Sequence, residues 1–326
     1  MKRRASESFA ALTFAAIILA SPARLSAQGA PIAIGTLKGP SGIGMALLFE
    51  SPLLGYAGRS ATVVAVGSAD LMTAKVISGE FGAAVLPVNL AAKLYNSGIP
   101  IALGAIVGEG MLSFLCSDST IKDIGDLRGR SVQVSGQGAT PDYLFRKLLK
   151  AAGIDPAKDL ELSYALPYPE AATALAAGKI PCALLPEPFA TMALAANPLL
   201  SSPFGVGELW TRATGQASYP MTAFVVSARL AIEDPAAVQA MLKAYEASIA
   251  WVVANPGEAG KLAEKHDLGL KAPIASKAIP RSAYVFVRAP EARSAVEALL
   301  SVFLETAPAS VGGKLPNDGF YGTWQR

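Results

Sequence analysis

The sequence predicts an α/β fold built as two lobes of like architecture. Three observations predict it. Short apolar runs alternate with longer helical patterns through most of the chain. A stretch near residue 80 recurs 99 residues later, and a glycine loop near residue 40 recurs 97 residues later. The chain of 326 residues is 52% hydrophobic and 16% charged, enough apolar material for two cores.

The first pass of the alternation runs as follows. Residues 32–37 read as a strand, 43–49 as a helix, 61–66 (ATVVAV) as a strand and 70–78 as a helix. Residues 83–86 form a third strand, 90–95 open a helix, and 101–107 form a fourth strand. Strands alternating with helices predict a mostly parallel sheet covered on both faces. The second pass places strands at 131–134, 161–164 and 182–185, with helices at 141–152, 170–177 and 189–196. Beyond it come one strand at 223–227 and alanine-rich helices at 235–254, 259–265 and 290–304, expected to pack on the first lobe.

The repeat aligns Gly79-Glu-Phe-Gly-Ala-Ala-Val-Leu-Pro87 with Gly178-Lys-Ile-Pro-Cys-Ala-Leu-Leu-Pro186. Each copy reads glycine, strand, Leu-Pro, new helix. A period this long is a domain, not a solenoid unit. Loops at the carboxyl edge of an open α/β sheet are where ligands bind. Four matched loops therefore converge if the lobes face each other: 38–44 and 87–89, 136–141 and 186–189.

The N-terminus has the layout of a cleaved export signal. Lys2-Arg3-Arg4 is a positive start, residues 9–20 are apolar, and small residues follow, with cleavage expected after Ala27. The apolar stretch is shorter than the roughly 20 residues a membrane span needs. No cysteine lies near the cut, which excludes a lipid anchor there. The product is expected to be soluble, periplasmic and monomeric. An exported chain can hold a disulfide. Cys116 and Cys182, however, each lie in an apolar run, and two buried small side chains is the preferred reading over a bond.

Several chemistries are excluded. The loop Gly39-x-x-Gly42-x-Gly44 has the dinucleotide spacing reversed, and no Gly-Lys-Ser/Thr follows for a P-loop. The chain has one histidine, His266, in a charged helical stretch, too little for a zinc or copper site or a Ser-His-Asp triad. No Gly-x-Ser-x-Gly elbow occurs. The net charge of +3 carries no basic stripe for nucleic acid. No cofactor and no metal are expected.

With the paired loops in view, the chain resembles the type II periplasmic solute-binding proteins of ABC importers, in particular the NMT1/THI5-like and sulfonate-binding-like group. The resemblance rests on LKGPSGIG (37–44), LPVNLAAKLY (86–95), IKDIGDLRGR (121–130), GATP (138–141), LLPEPF (184–189) and GGKLP (312–316), in that order and spacing. It implies two Rossmann-like lobes around a central cleft. Lobe I would hold 31–108 plus 221–326, and lobe II 109–220. Crossovers would fall near 108–112 and 219–223. It also implies closure around one solute and delivery to an ABC permease in the inner membrane, with no catalysis. A periplasmic sensor module, or a pyrimidine-synthase-like enzyme of the same superfamily, is the alternative; that enzyme's cysteine-rich stretch has no counterpart here.

The candidate ligand-binding residues follow from the loops. Lys38, Gly39, Ser41 and Gly42 lie in the first. Ser68 and Asn89 lie in the next two of that lobe. Gln137, Gly138 and Thr140 lie in the second glycine loop, and Glu187 and Phe189 in the LLPEPF segment. Glu109, Tyr219 and Thr222 sit at the crossovers, and Tyr168 begins a helix. Glycines let a ligand approach backbone N–H groups at helix starts. Neutral side chains supply hydrogen bonds, and aromatic rings supply stacking faces. Lys38, Glu109, Asp142 and Glu187 are the charges nearest the cleft. This mixture favours a flat, mostly uncharged organic solute, such as a heterocycle or cofactor-like molecule, over a small inorganic anion, with an aryl sulfonate as competitor.

Overall fold

The computed structural model describes residues 31–51 and 59–322. The expected export signal, residues 1–27, lies outside them. In chain order the elements begin β1 Ile32–Leu37, α1 Pro40–Gly44, α2 Ala46–Glu50, β2 Ala61–Val66, α3 Ala69–Ile77, β3 Ala83–Pro87, α4 Val88–Asn96 and β4 Ile101–Glu109. The chain then builds β5 Leu112–Cys116, β6 Ser131–Val134, α5 Thr140–Ala151, β7 Glu161–Ser163, α6 Tyr168–Ala176, β8 Cys182–Pro186, α7 Phe189–Ala196 and α8 Val206–Thr214. It closes with β9 Pro220–Ser227, α9 Ala228–Glu233, α10 Pro235–Ala254, α11 Pro256–Lys265, α12 Ala272–Ala278, β10 Tyr284–Arg288 and α13 Ala289–Thr306.

The strands form two sheets. The first has the order β10-β4-β9-β3-β1-β2, the second β5-β8-β6-β7. In the first, β2, β1 and β3 are parallel, while β9 runs antiparallel to both β3 and β4, and β10 antiparallel to β4. The expected mostly parallel sheet thus carries two reversed strands. The chain leaves this sheet at the carboxyl end of β4 and returns at the same edge, so β9 must run the other way. For the same reason β5, which enters the second sheet from that edge, pairs antiparallel with β8.

Both faces of each sheet are covered, which is why the strands read as continuous apolar runs. Alternate residues serve different layers. Val85, Phe224 and Val226 face a core closed by Met241, Leu242 and Tyr245 of α10. Ala84, Leu86, Ala223 and Val225 face another, shared with Leu299, Leu300 and Phe303 of α13. That second core continues into the other sheet through Phe114, Val134 and Leu184 and takes in Phe145 and Trp210. The outer face of the second sheet packs under α6 and α7 through Leu115, Ala183 and Leu185.

Three local outcomes differ from expectation. The helix foreseen over 43–49 is split at Met45 into α1 and α2. Pro40 starts the first turn early, and the Met45 backbone leaves helical geometry, with φ −95° and ψ 13°. The strand β10 and the helices α8, α9 and α12 were not anticipated. The alternation Tyr-Val-Phe-Val in β10 is a strand signal, weakened because every residue there is half-buried. Most directly, Cys116 and Cys182 are joined by a disulfide, which overturns the preference for two separate buried thiols. The two residues are direct cross-strand partners on β5 and β8, with Cα atoms 4.2 Å apart. Pairing register brings them together, and that register is invisible in either run alone.

Among the described residues, no helix is long and apolar enough to cross a membrane.

Candidate functional site

The two sheets turn their carboxyl edges toward one cavity of about 390 Å³. From the first sheet it takes Leu37, Lys38, Pro40 and Ser41 after β1, Gly67, Ser68 and Ala69 after β2, and Leu86, Pro87 and Asn89 at the β3–α4 junction. Met221 and Thr222 at the start of β9 complete that side. From the second come Ala139, Thr140 and Pro141 before and within α5, Tyr168 at the start of α6, and Pro186, Glu187 and Phe189 at the β8–α7 junction. Met111 lies on the crossover between the sheets. A concavity of 480 Å³ lies at the opposite, amino edge of the first sheet, between Ile32, Gly79, Pro100 and Leu230, and draws on that sheet alone.

Of the sequence candidates, Lys38, Ser41, Ser68, Asn89, Thr140, Tyr168, Glu187, Phe189 and Thr222 meet at this cavity. Gly39, Gly42, Glu109, Gln137, Gly138 and Tyr219 are not on its wall. The Gly39 N–H donates to Leu268 O at 2.8 Å, so it is spoken for within the fold. A Cβ on Gly42 would stand 3.0 Å from both Leu268 Cδ2 and Leu37 O, so this glycine serves close packing. The Gly138 N–H donates to Asp142 Oδ2 at 2.9 Å. Gln137 is exposed. Glu109 pairs with Pro220 at the crossovers. Tyr219 is fully buried, edge-on to Trp210, and its hydroxyl accepts from the Leu112 N–H at 3.3 Å. Its ring ties one crossover to the other and offers no face to the cleft.

Asp142 organises the second glycine loop rather than the cavity. Besides Gly138 it accepts from Arg146 Nε at 2.7 Å and from the Tyr164 hydroxyl at 2.6 Å. Arg146 Nη2 in turn donates to the Tyr164 oxygen at 2.6 Å. Burial, with Asp142 beside it, pushes the Tyr164 phenol well above its ordinary value. A buried carboxylate with its partners satisfied makes a stiff anchor for the loop.

The cavity's polar groups differ in how free they are. Lys38 is turned to Asp267 at 2.5 Å, which holds the Asp267 carboxyl below the usual range. The Ser68 hydroxyl accepts from the Leu71 N–H at 3.2 Å as the N-cap of α3 and keeps its own proton to donate. Glu187 is 1% exposed at its side chain; its carboxylate accepts from the Thr191 N–H at 3.1 Å and from Arg281 Nε at 2.7 Å. Asn89 Oδ1 is buried and has no hydrogen-bond partner among the described residues. Burial pushes the Tyr168 phenol up to about 12, so its proton stays on at neutral pH.

Five helices of at least eight residues, α3 to α7, begin at this wall. Their first N–H groups present partial positive charge, which suits acceptor atoms on a bound molecule. Among the described residues no group of three or more histidine, cysteine, aspartate or glutamate side chains is disposed to hold a metal ion. Arg281, which holds the wall residue Glu187, carries no signal in the sequence that would single it out. It lies 94 residues from Glu187 and in none of the repeated loops.

A family model described as the NMT1-like family matches residues 60–265. A solved structure of an ABC transporter from Parabacteroides distasonis is 30% identical, with a TM-score of 0.77 over 89% of this chain and 98% of that one. The periplasmic aliphatic sulphonate-binding protein SsuA from Escherichia coli is similar in fold at 18% identity, with a TM-score of 0.69 over 88% and 92% of the two chains. The periplasmic nitrate-binding protein NrtA from Synechocystis PCC 6803 is also similar in fold, at 14% identity and a TM-score of 0.63 over 86% and 84%. No curated protein matches the chain.

Proposed function

The chain belongs to the NMT1-like family, and on that premise we propose that it is a periplasmic solute-binding protein that hands a small organic solute to an ABC importer. The observation that carries this is the shared cavity: both sheets contribute carboxyl-edge loops to one space of about 390 Å³. That is near the lower end of ligand pockets, which run from roughly 300 to 1,000 Å³. Residues 31–108 with 221–326 act as one lobe and 109–220 as the other, with solute binding favouring their closed arrangement.

The solute class follows from what the wall can offer. Both ionic side chains on the wall are already compensated, Lys38 by Asp267 and Glu187 by Arg281. A permanently charged solute would have to compete with those pairs or rely on helix ends alone. The stacked rings of Tyr168 and Phe189 supply an apolar plate, while Ser68, Asn89 and Tyr168 supply neutral hydrogen bonds. These features support a flat, uncharged heterocycle with acceptor atoms. The sulphonate- and nitrate-binding proteins of like fold make an oxyanion the competing solute.

Native mass spectrometry of protein taken from its own periplasm identifies what co-purifies. Calorimetry of refolded, solute-free protein against pyrimidines, flavins, aryl sulfonates, sulfate and nitrate then ranks the classes. Binding of inorganic anions alone overturns the solute class; a chemically altered bound molecule favours an enzyme. A permease and an ATPase encoded beside this chain support transport, and a sensor kinase in their place supports signalling.

A further inference from the structure

The two halves of the chain touch through α5–α13 and through α7–α12; both contacts carry an ion pair, and only the first has a shared apolar core. At the first, Tyr143 and Phe303 have ring centroids 4.8 Å apart, and the apolar core runs without a break from one sheet into the other. Separating the sheets there would uncover that core. At the second, α7 approaches α12. There the apolar clusters are separate: Phe189 and Ala190 belong to one, Ala275 and Ile279 to another. What joins them is polar: Arg281 Nε donates to Glu187 Oε1 at 2.7 Å, and Arg281 Nη2 reaches Ser113 Oγ at 3.5 Å.

We propose that the Glu187–Arg281 ion pair is the latch of the cleft, and that Arg281 is the residue that positions Glu187 on the cavity wall. This rests on reading the cavity as the solute site. The Glu187 carboxylate is nearly inaccessible, whereas the Arg281 side chain is 44% exposed and not on the wall. Arg281 thus closes the cleft from outside. Its mount is fixed: buried Ser282 donates to Ala278 O at 2.8 Å, and Ala283 O accepts from the Glu109 N–H at the crossover. Opening on this side strips a buried carboxylate of its cation, and water must replace the guanidinium. That cost opposes opening without adding apolar adhesion, so the latch is reversible, as repeated solute release requires.

The test needs no solute. Small-angle scattering of the solute-free full chain should give a larger radius of gyration for Arg281→Ala and for Glu187→Gln than for the unmodified protein. The double variant should be no larger than Arg281→Ala alone, because the Glu187–Arg281 contact is already lost there. Arg281→Lys, which keeps the charge, should recover part of the closure. A radius unchanged in Arg281→Ala overturns the latch. So does a strictly additive double variant, or an unmodified protein that already scatters as the open form. Failure of the solute reading would appear separately, as absence of binding by the unmodified protein.

Discussion

The rings of Tyr168 and Phe189 stack with centroids 5.4 Å apart and planes 16° from parallel. Each is the first residue of its helix, so two helix ends and one aromatic plate occupy the same wall. Phe189→Ala should weaken solute binding about tenfold or more, near 1.4 kcal/mol, with little further loss on adding Tyr168→Ala. Isothermal calorimetry with the solute found by mass spectrometry measures both.

Asn89 gives a sharper separation of binding from folding. Its buried Oδ1 has no partner among the described residues, so Asn89→Leu removes a polar atom the fold does not use. Replacing such an atom by an apolar one can be neutral or stabilising. The thermal midpoint should hold or rise, while solute affinity falls by roughly 10- to 100-fold. A large drop in midpoint would place Asn89 in the scaffold.

The two glycine loops should respond differently to a methyl group. Gly136 has φ +82°, and a Cβ there would stand 2.6 Å from the Tyr168 hydroxyl. Gly136→Ala should cost about 1 kcal/mol in backbone strain and also impair binding by displacing Tyr168. Gly42 is not on the cavity wall, and Gly42→Ala presses on the Leu268 side chain and the Leu37 carbonyl oxygen. It should cost about 1–3 kcal/mol of stability, with affinity per folded molecule preserved. Urea unfolding beside calorimetry tells the two apart.

Burial raises the Glu109 carboxyl above its ordinary 4.5, opposed by a hydrogen bond from Ser218. The folded state therefore prefers the neutral acid. Its contribution is present below the unfolded value and is lost as pH rises through the raised one. Glu109→Gln should remove that loss, so the variant gains on the unmodified protein as pH rises from about 4 to about 7. Thermal midpoints across that range check the sign.

The disulfide closes a loop with a sequence separation of 66. Chain entropy assigns such a loop roughly 4 kcal/mol. Cys116→Ala with Cys182→Ala should lower unfolding free energy toward that amount, and reductant should then have no further effect on the denaturation midpoint.

Much of this architecture was legible in the chain. Apolar runs and helical spacing located β1, β2, β6, α7 and α10 at their observed bounds, because periodicity reports burial and burial is local in sequence. The 99-residue repeat likewise pointed to paired loops, and Pro87 of one and Pro186 of the other do meet at one cavity. Sequence could not say which groups in those loops remain free. Gly39 and Gly138 carry the right backbone for a ligand, yet Leu268 and Asp142 already hold their N–H groups. Lys38 is paired 229 residues away and Glu187 is paired 94 away. The amino-acid order thus determined the layers, the two-part plan and the loops that converge. Only the tertiary structure decided the disulfide, the cavity wall and the cross-sheet ion pair. Hydrophobic patterning acts through each element's own neighbours, whereas a hydrogen bond or ion pair depends on where distant segments come to rest.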